Sequence, residues 1–319
     1  MSSQLDSHDT LQDEPDDLLG FDQQDRPQMI DAIKASGPGW TEPTQSITFS
    51  ASIGWRPDLI NNDTAVCHLH IVNKLYPHII KRIKAARAAQ RQVIVAAPLN
   101  AWYSNETLSS LDELEICPLL LQPKGQRNPS EWTAKQYRSI AELIAMNNLK
   151  LDPETTRKMG HRILDNALNA KKPAELGWRF EDFLCFLFSQ ISYFEIYKHN
   201  YSNTTEEIDL VLKNNRVMES ILLLSPIVLI SGKNKQTAVG VPALTSLRTK
   251  MSKRRGRCKL GFLCASRSIA STVSMDELSY RLDDKIVVLL DGEELRGLLD
   301  KSEILDQEIE KLTIEAALS

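Results

Sequence analysis

Two short apolar runs decide how this chain folds: Glu207-Ile208-Asp209-Leu210-Val211-Leu212 and Pro226-Ile227-Val228-Leu229-Ile230-Ser231-Gly232-Lys233. Both are rich in Val, Ile and Leu and are bounded by polar, Pro or Gly residues, the pattern of buried strands. The first carries a carboxylate, Asp209, early in its run. The second ends on an amine, Lys233. On adjacent strands of one sheet the two side chains can reach a single point.

Working outward, Leu176 to Phe188 reads as a helix, with Phe180, Phe183, Leu184, Leu187 and Phe188 on one broad stripe that packs on a sheet. Glu181 lies at the edge of that stripe. Tyr193 to Tyr197 reads as a strand. Thr237 to Met251 reads as a helix with Pro242 in its first turn, and Cys258 to Ala265 as a strand with a close approach at Gly261. Ser266 or Ser268 opens a further helical segment. Ile286 to Leu290 is a last strand, Asp291 to Leu299 a helix with Glu293 and Glu294 favourably placed in its first turn, and Lys301 to Leu318 a final amphipathic helix.

Upstream, Ser46–Ser50, Thr64–Val72 and Gln92–Ala97 have strand character, and Leu75–Gln90 has helical spacing. Ser104 suits the N-cap of a helix through Leu114. Strand, helix, strand argues for a parallel crossover in a covered sheet. Trp132 to Ala170 is helical in character, broken at Leu151-Asp152-Pro153, where Asp152 caps and Pro153 fits the first turn. The expected layout is an acidic disordered tail over 1–29, an α/β domain over 30–125, a helical connector over 126–173, a second α/β domain over 174–300 and a C-terminal helix over 301–319.

The 319 residues allow two domains, and 42% hydrophobic content supports real cores. Net charge is −4, so the sum does not announce a nucleic-acid partner, but the distribution is uneven. Residues 1–30 carry Asp6, Asp9, Asp13, Glu14, Asp16, Asp17, Asp22 and Asp25 against Arg26. Such a segment reads as a solvated leader, or as a competitor with nucleic acid for a basic surface. Cations crowd instead at Arg248, Lys250, Lys253, Arg254, Arg255, Arg257 and Lys259. No apolar run approaches the ~18–20 residues that span a bilayer, and an acidic N-terminus does not fit a signal peptide. Five cysteines without CxxC spacing read as reduced thiols, and a cytoplasmic location is expected.

A carboxylate and an amine that converge suit phosphodiester hydrolysis. That reaction needs a metal to activate water and offset developing charge, and a cation near the nucleophile. On this reading Asp209, Glu181 and the Gly232 carbonyl hold Mg²⁺ or Mn²⁺. Lys233 positions the attacking water, so Glu181, Asp209 and Lys233 form the catalytic set.

Gly177-Trp178-Arg179-Phe180-Glu181-Asp182-Phe183, Glu207-Ile208-Asp209-Leu210-Val211, Val228-Leu229-Ile230-Ser231-Gly232-Lys233-Asn234, the strand from Cys258 and the stretch Lys285–Leu299 follow one another in an order that resembles the Mrr-like restriction endonuclease branch of the PD-(D/E)xK nuclease superfamily. The resemblance implies a restriction-endonuclease-like mixed sheet flanked by helices. It also implies Mg²⁺-dependent cleavage of double-stranded DNA in restriction or anti-phage defence, by a homo-oligomer or a subunit of a defence complex. It departs at Ser231, where the family carries Glu, Asp or Gln two residues before the lysine. Serine cannot supply a charged ligand; Glu181 is the best substitute, and Glu206 or Glu207 a poorer one. A catalytically inactive subunit that binds DNA or a partner is the alternative. Lys235, Arg248, Lys250, Lys253, Arg254, Arg255 and Arg257 are the expected phosphate contacts, set beside the site. A third reading is an interaction protein whose final helix pairs with a partner.

A fainter copy of the same arrangement runs through Arg56-Pro57-Asp58-Leu59-Ile60 and His68-Leu69-His70, with Asp58 in place and histidines where the second acid and the lysine would stand. With His78 these could bind a metal. Scaffold, dimerisation or DNA placement is the expected role.

Overall fold

The computed structural model describes residues 25–50, 53–62, 64–71, 75–124, 131–203, 206–215, 225–273 and 284–318. The chain divides into two units, Met1–Tyr137 and Arg138–Ser319.

In the first unit, α1 (Asp25–Ala35) precedes β1 (Trp40–Thr41). A separate hairpin, β2 (Ile47–Ser50) with β3 (Ile53–Trp55), is followed by β4 (Leu59–Asn61) and β5 (Ala65–Leu69). Then come α2 (Pro77–Ala88), β6 (Gln92–Pro98), α3 (Asn105–Glu113), β7 (Cys117–Pro123) and β8 (Trp132–Gln136). Among the described residues six strands pair in the order β1-β4-β5-β6-β7-β8. β5, β6 and β7 are parallel, and α2 makes the first crossover between them. Ser104 caps α3 by accepting from the Thr107 N–H, as its type and place predict. The expected tail ends earlier than residue 29: α1 starts at Asp25, because Met29, Ala32 and Ile33 at helical spacing bury against Leu59, Cys67 and Ile94. Residues 1–24 lie outside the described part.

The second unit runs α4 (Ile140–Met146), α5 (Pro153–Leu168), α6 (Pro173–Gln190), β9 (Phe194–Asn203), β10 (Glu206–Asn214), β11 (Ile227–Lys233), α7 (Val241–Ser252), β12 (Leu260–Ala265), β13 (Ile286–Leu290), α8 (Gly292–Asp300) and α9 (Leu305–Leu318). The two runs that opened the sequence reading are β10 and β11. They pair antiparallel, with Leu210 opposite Ile230. β9 extends the sheet antiparallel on one side, and β12 and β13 extend it parallel on the other. One face packs on α7, where Leu229, Leu263 and Val287 meet Leu244, Leu247 and Met251. The other face takes α6. Phe180, Phe183, Phe186 and Phe188 are fully buried, and each such ring contributes roughly 1.5–3 kcal/mol of burial free energy.

Gly232 sets how closely α6 lies on the sheet: a Cβ there would stand 2.6 Å from Leu184 Cδ1 and 3.4 Å from Phe180 Cδ1.

Three expectations change. Trp132–Gln136 is a strand, β8, whose alternating half-buried and exposed residues pair with β7. α4 and α5 pack on α6 within the second unit. The expected connector over 126–173 is therefore shared between the two sheets and is not a separate element. The C-terminal helix is preceded by a short 3-10 turn, Ser302–Ile304, rather than continuing from Lys301. The segment expected to open at Ser266 or Ser268 is helical over 271–273 and then passes outside the described residues.

The units share a wiring. Each sheet starts with a preceding helix (α1, α6) and an edge strand (β1, β9). An antiparallel partner follows (β4, β10), then a central strand (β5, β11) and two parallel strands. Asp58 and Asp209 stand one residue before Leu59 and Leu210, which pair with Cys67 and Ile230 of the central strands.

Candidate active site

Asp209 projects from β10 at the register of Ser231. Its Oδ2 accepts from the Gly232 N–H at 2.7 Å and from Ser231 Oγ at 3.3 Å, and lies 3.5 Å from Lys233 Nζ. All these contacts fall on one carboxylate oxygen, so among the described residues Oδ1 is uncommitted. Lys233 Nζ also donates to the Gly232 carbonyl at 3.0 Å. The next residue, Asn234, donates through Nδ2 to the Ala167 carbonyl at 3.1 Å and the Leu176 carbonyl at 2.6 Å, pinning the lysine end of β11 between α5 and α6.

Glu181 on α6 is partly buried. Burial first, and then the charge of Asp209, push its carboxyl above the usual range, while His199, Arg138 and an Asn200 hydrogen bond pull the other way. The Asp209 charge makes ionising Glu181 costlier, a repulsion that a bound cation would relieve. Glu207 is exposed, and the Glu206 side chain lies outside the described residues.

Behind Glu181 is a polar network that sequence reading did not anticipate. Asp182 is buried, ion-paired with Arg138 and hydrogen-bonded by Ser139 Oγ at 2.6 Å. Burial pushes the Asp182 carboxyl up, against the pull of Arg138 and Ser139. Arg138 lies over the Trp178 ring at 5.0 Å and 3.5 Å from His199 Nε2. His199 Nδ1 in turn stands 3.7 Å from Glu142. The one local hint was the side-by-side Glu181-Asp182 on a helix otherwise rich in phenylalanine. The partners come from residues about forty positions earlier, which no spacing rule connects.

The basic run does not sit beside Lys233. β11 and β12 are parallel, so α7 returns from the Lys233 end to the start of β12, and its C-terminal turn lies at the opposite end of the sheet. The Arg257 carbonyl accepts from the Ile227 N–H, at the first residue of β11. Six strand steps of ~3.3 Å separate it from Lys233, roughly 20 Å. Arg248 is buried on the inner side of α7 with Leu244, Leu247 and Met251, which removes it from the expected phosphate contacts. Lys253, Arg255 and Arg257 are exposed, Lys250 and Arg254 half-buried. Lys235 is exposed in the loop after β11, at the Lys233 end.

No family model matches the chain, and neither a curated protein nor a solved structure matches it.

In the first unit the counterpart contact recurs with different chemistry. Asp58 Oδ2 accepts from the Leu69 N–H at 2.7 Å and lies 3.3 Å from His68 Nδ1, while Oδ1 is paired with Arg26. Burial works to raise this carboxyl, but His68, Arg26 and the Leu69 N–H outweigh it and hold it below the usual range. His70, at the lysine's place, is buried, and its Nε2 has no hydrogen-bond partner. Burial pushes its imidazole down to about 3. His78 stacks on Tyr76. Among the described residues no three His, Cys, Asp or Glu side chains gather into an ion cage, so the minor reading of His68, His70 and His78 as metal ligands finds no assembled site. Among the described residues, no helix is long and apolar enough to cross a membrane.

Proposed function

We propose that the second unit is a metal-dependent DNA endonuclease with a restriction-endonuclease-like core, and that Asp209, Lys233 and Glu181 carry the reaction. The observation that carries this reading is the Asp209–Lys233 contact at 3.5 Å at the end of a central strand, with the Glu181 carboxyl near enough to feel the Asp209 charge. Asp209 Oδ1, Glu181 and the Gly232 carbonyl are all oxygen donors, a set that suits a hard divalent ion retaining several waters. Mg²⁺ or Mn²⁺ bound there would supply a lowered water pKa and charge neutralisation at the phosphate.

The chain's own residues do the rest. The Gly232 N–H and Ser231 hydroxyl hold Asp209 through Oδ2, which leaves Oδ1 as the oxygen that could meet a metal. Lys233 Nζ, already donating to one carbonyl and lying beside one carboxylate oxygen, has a remaining proton with which to orient a water and to meet negative charge. The Arg138–Asp182–Ser139 network holds the α6 turn that carries Glu181.

A second reading is favoured by Ser231 and by the lack, among the described residues, of a three-carboxylate cage: a nuclease-fold subunit that binds DNA without cutting. Digestion of supercoiled plasmid with Mg²⁺ or Mn²⁺ separates the two. The endonuclease reading expects nicking by wild type and none by Asp209→Ala or Lys233→Ala. Equal nicking by all three, or none by any, ends the catalytic claim. Restriction or anti-phage defence, in the cytoplasm and as an oligomer or complex subunit, is the biological setting this reading suggests.

A further inference from the structure

From Ser220 to Met275 the chain has no Asp or Glu and ten Lys or Arg, in a protein whose whole carries 42 acids against 38 bases. The described part of that stretch builds β11, α7 and β12. Its buried members, Arg248 among them, serve the interior. Most of the exposed ones flank α7, Lys235 before it and Lys253, Arg255 and Arg257 at and after its C-cap, with half-buried Lys250 on its last turn; exposed Arg267 lies apart, after β12. The turn is built rather than loose. Arg254 N–H donates to the Met251 carbonyl, Arg257 N–H to the Arg254 carbonyl and Ile227 N–H to the Arg257 carbonyl. Arg255 and Gly256 take positive φ of 51° and 75°. An open groove of about 500 Å³ runs along the helix, its lining including Val241, Pro242, Thr245, Thr249, Lys250 and Lys253. Lys259 is set apart from this surface by its pairing with Asp284 at 3.1 Å.

We infer that the outer face of α7 is a track for the sugar-phosphate backbone of a nucleic-acid duplex, leading from the Lys233 end of the sheet to a distal anchor at Lys253, Arg255 and Arg257. The inference rests on the endonuclease reading for the direction of the track, but not for its binding. Twelve helical residues at 1.5 Å make the track about 18 Å long. One strand of a duplex rises about 3.4 Å along the axis per phosphate while winding around it, which sets neighbouring phosphates roughly 6–7 Å apart along the backbone, so about three phosphates lie along the track. The cations stand at the two ends of that length, Lys235 at one and Lys250, Lys253, Arg255 and Arg257 at the other, with Pro242, Thr245 and Thr249 exposed between them, so a polyanion would be gripped at both ends. Thr245 and Thr249 spend their hydroxyl protons on the Val241 and Thr245 carbonyls, and aromatic side chains are absent from the α7 sequence. The face therefore offers charge and no stacking platform, which favours duplex over single strand.

The test is fluorescence anisotropy with a labelled 24-base-pair DNA duplex across a salt series. It uses the full chain, the charge-reversed Lys253→Glu/Arg255→Glu/Arg257→Glu protein and the neutral Lys253→Gln/Arg255→Gln/Arg257→Gln protein. Loss of three phosphate contacts should flatten the log–log salt slope by about 2.7 at ~0.9 per contact, in both triple variants, with at least a tenfold weaker Kd. Lys311→Glu, on α9, should bind as wild type does. Unchanged Kd and slope in both triple variants overturn the track, as does an equal loss with Lys311→Glu. Stronger binding of polyglutamate than of the duplex also overturns it, in favour of an acidic protein partner. If the endonuclease reading fails instead, no protein cuts and the duplex-binding differences remain. If both hold, the triple variants raise KM for cleavage and keep kcat.

Discussion

His70 gives the sharpest quantitative test of the first unit. Its side chain is buried, its Nε2 lacks a hydrogen-bond partner, and burial holds its imidazole at about 3 against an ordinary 6.5. The folded-state value lies below the unfolded one, so between the two the unfolded chain binds the proton and the folded chain does not. Stability is therefore complete above 6.5 and is lost as pH falls from 6.5 toward 3. At 1.36 kcal/mol per pH step, the loss from His70 alone is about 2 kcal/mol at pH 5, growing to about 5 near pH 3. Urea unfolding at pH 7.5 and pH 5.0, for wild type and His70→Leu, reads this directly. Whatever its stability at pH 7.5, the leucine protein should lose about 2 kcal/mol less on going to pH 5.0. Equal losses in the two proteins would refute the claim that a neutral imidazole is locked in the β5 end of the sheet.

Other perturbations probe the second unit. Gly232→Val places a branched side chain against Leu184 and Phe180. It should cost about 1–3 kcal/mol by overpacking and reduce nicking further than that loss of folded protein explains, measured at a temperature where the variant is folded. Arg138→Met leaves the buried Asp182 carboxylate unpaired; thermal unfolding should show a loss of about 3 kcal/mol, much of it recovered by Arg138→Met with Asp182→Leu. Asn234→Ala removes two hydrogen bonds to α5 and α6, worth about 1 kcal/mol each, and should lower kcat for cleavage while leaving duplex affinity within about twofold. Asp291→Ala deletes the side-chain half of the capping box that opens α8, leaving the residue-291 N–H donating to Glu294, and should cost about 1 kcal/mol, with no change in DNA binding.

Much of the architecture was legible because local chemistry and tertiary packing agree. Asp152 with Pro153, Ser104 and Asp291 mark the helix starts that the structure shows. The adjacency of Asp209 and Lys233 followed from two apolar runs too short for helices. What stayed hidden depends on direction and distance. The basic run looked close to Lys233 in sequence, yet a parallel crossover must carry a helix back to the far edge. That consequence was available from the strand–helix–strand order itself. β8 escaped because Trp132-Thr133-Ala134-Lys135-Gln136 has little apolar content and is stabilised by pairing with β7 rather than by burial of its own. The Arg138–Asp182–His199–Glu142 network joins α4, α6 and β9, and no single stretch records it.

The repeated wiring of the two sheets supplies an internal control. Each central strand offers a backbone amide to an aspartate on its antiparallel neighbour, but only the second sheet has an amine at the following position; the first has a sealed imidazole, with Arg26 across the acid. Chemistry that needs just an oriented carboxylate could arise at either place, whereas chemistry that needs a mobile cation beside it could arise only at Lys233. A chain with the first unit intact and Lys233 replaced thus reads, within one molecule, what the amine alone adds.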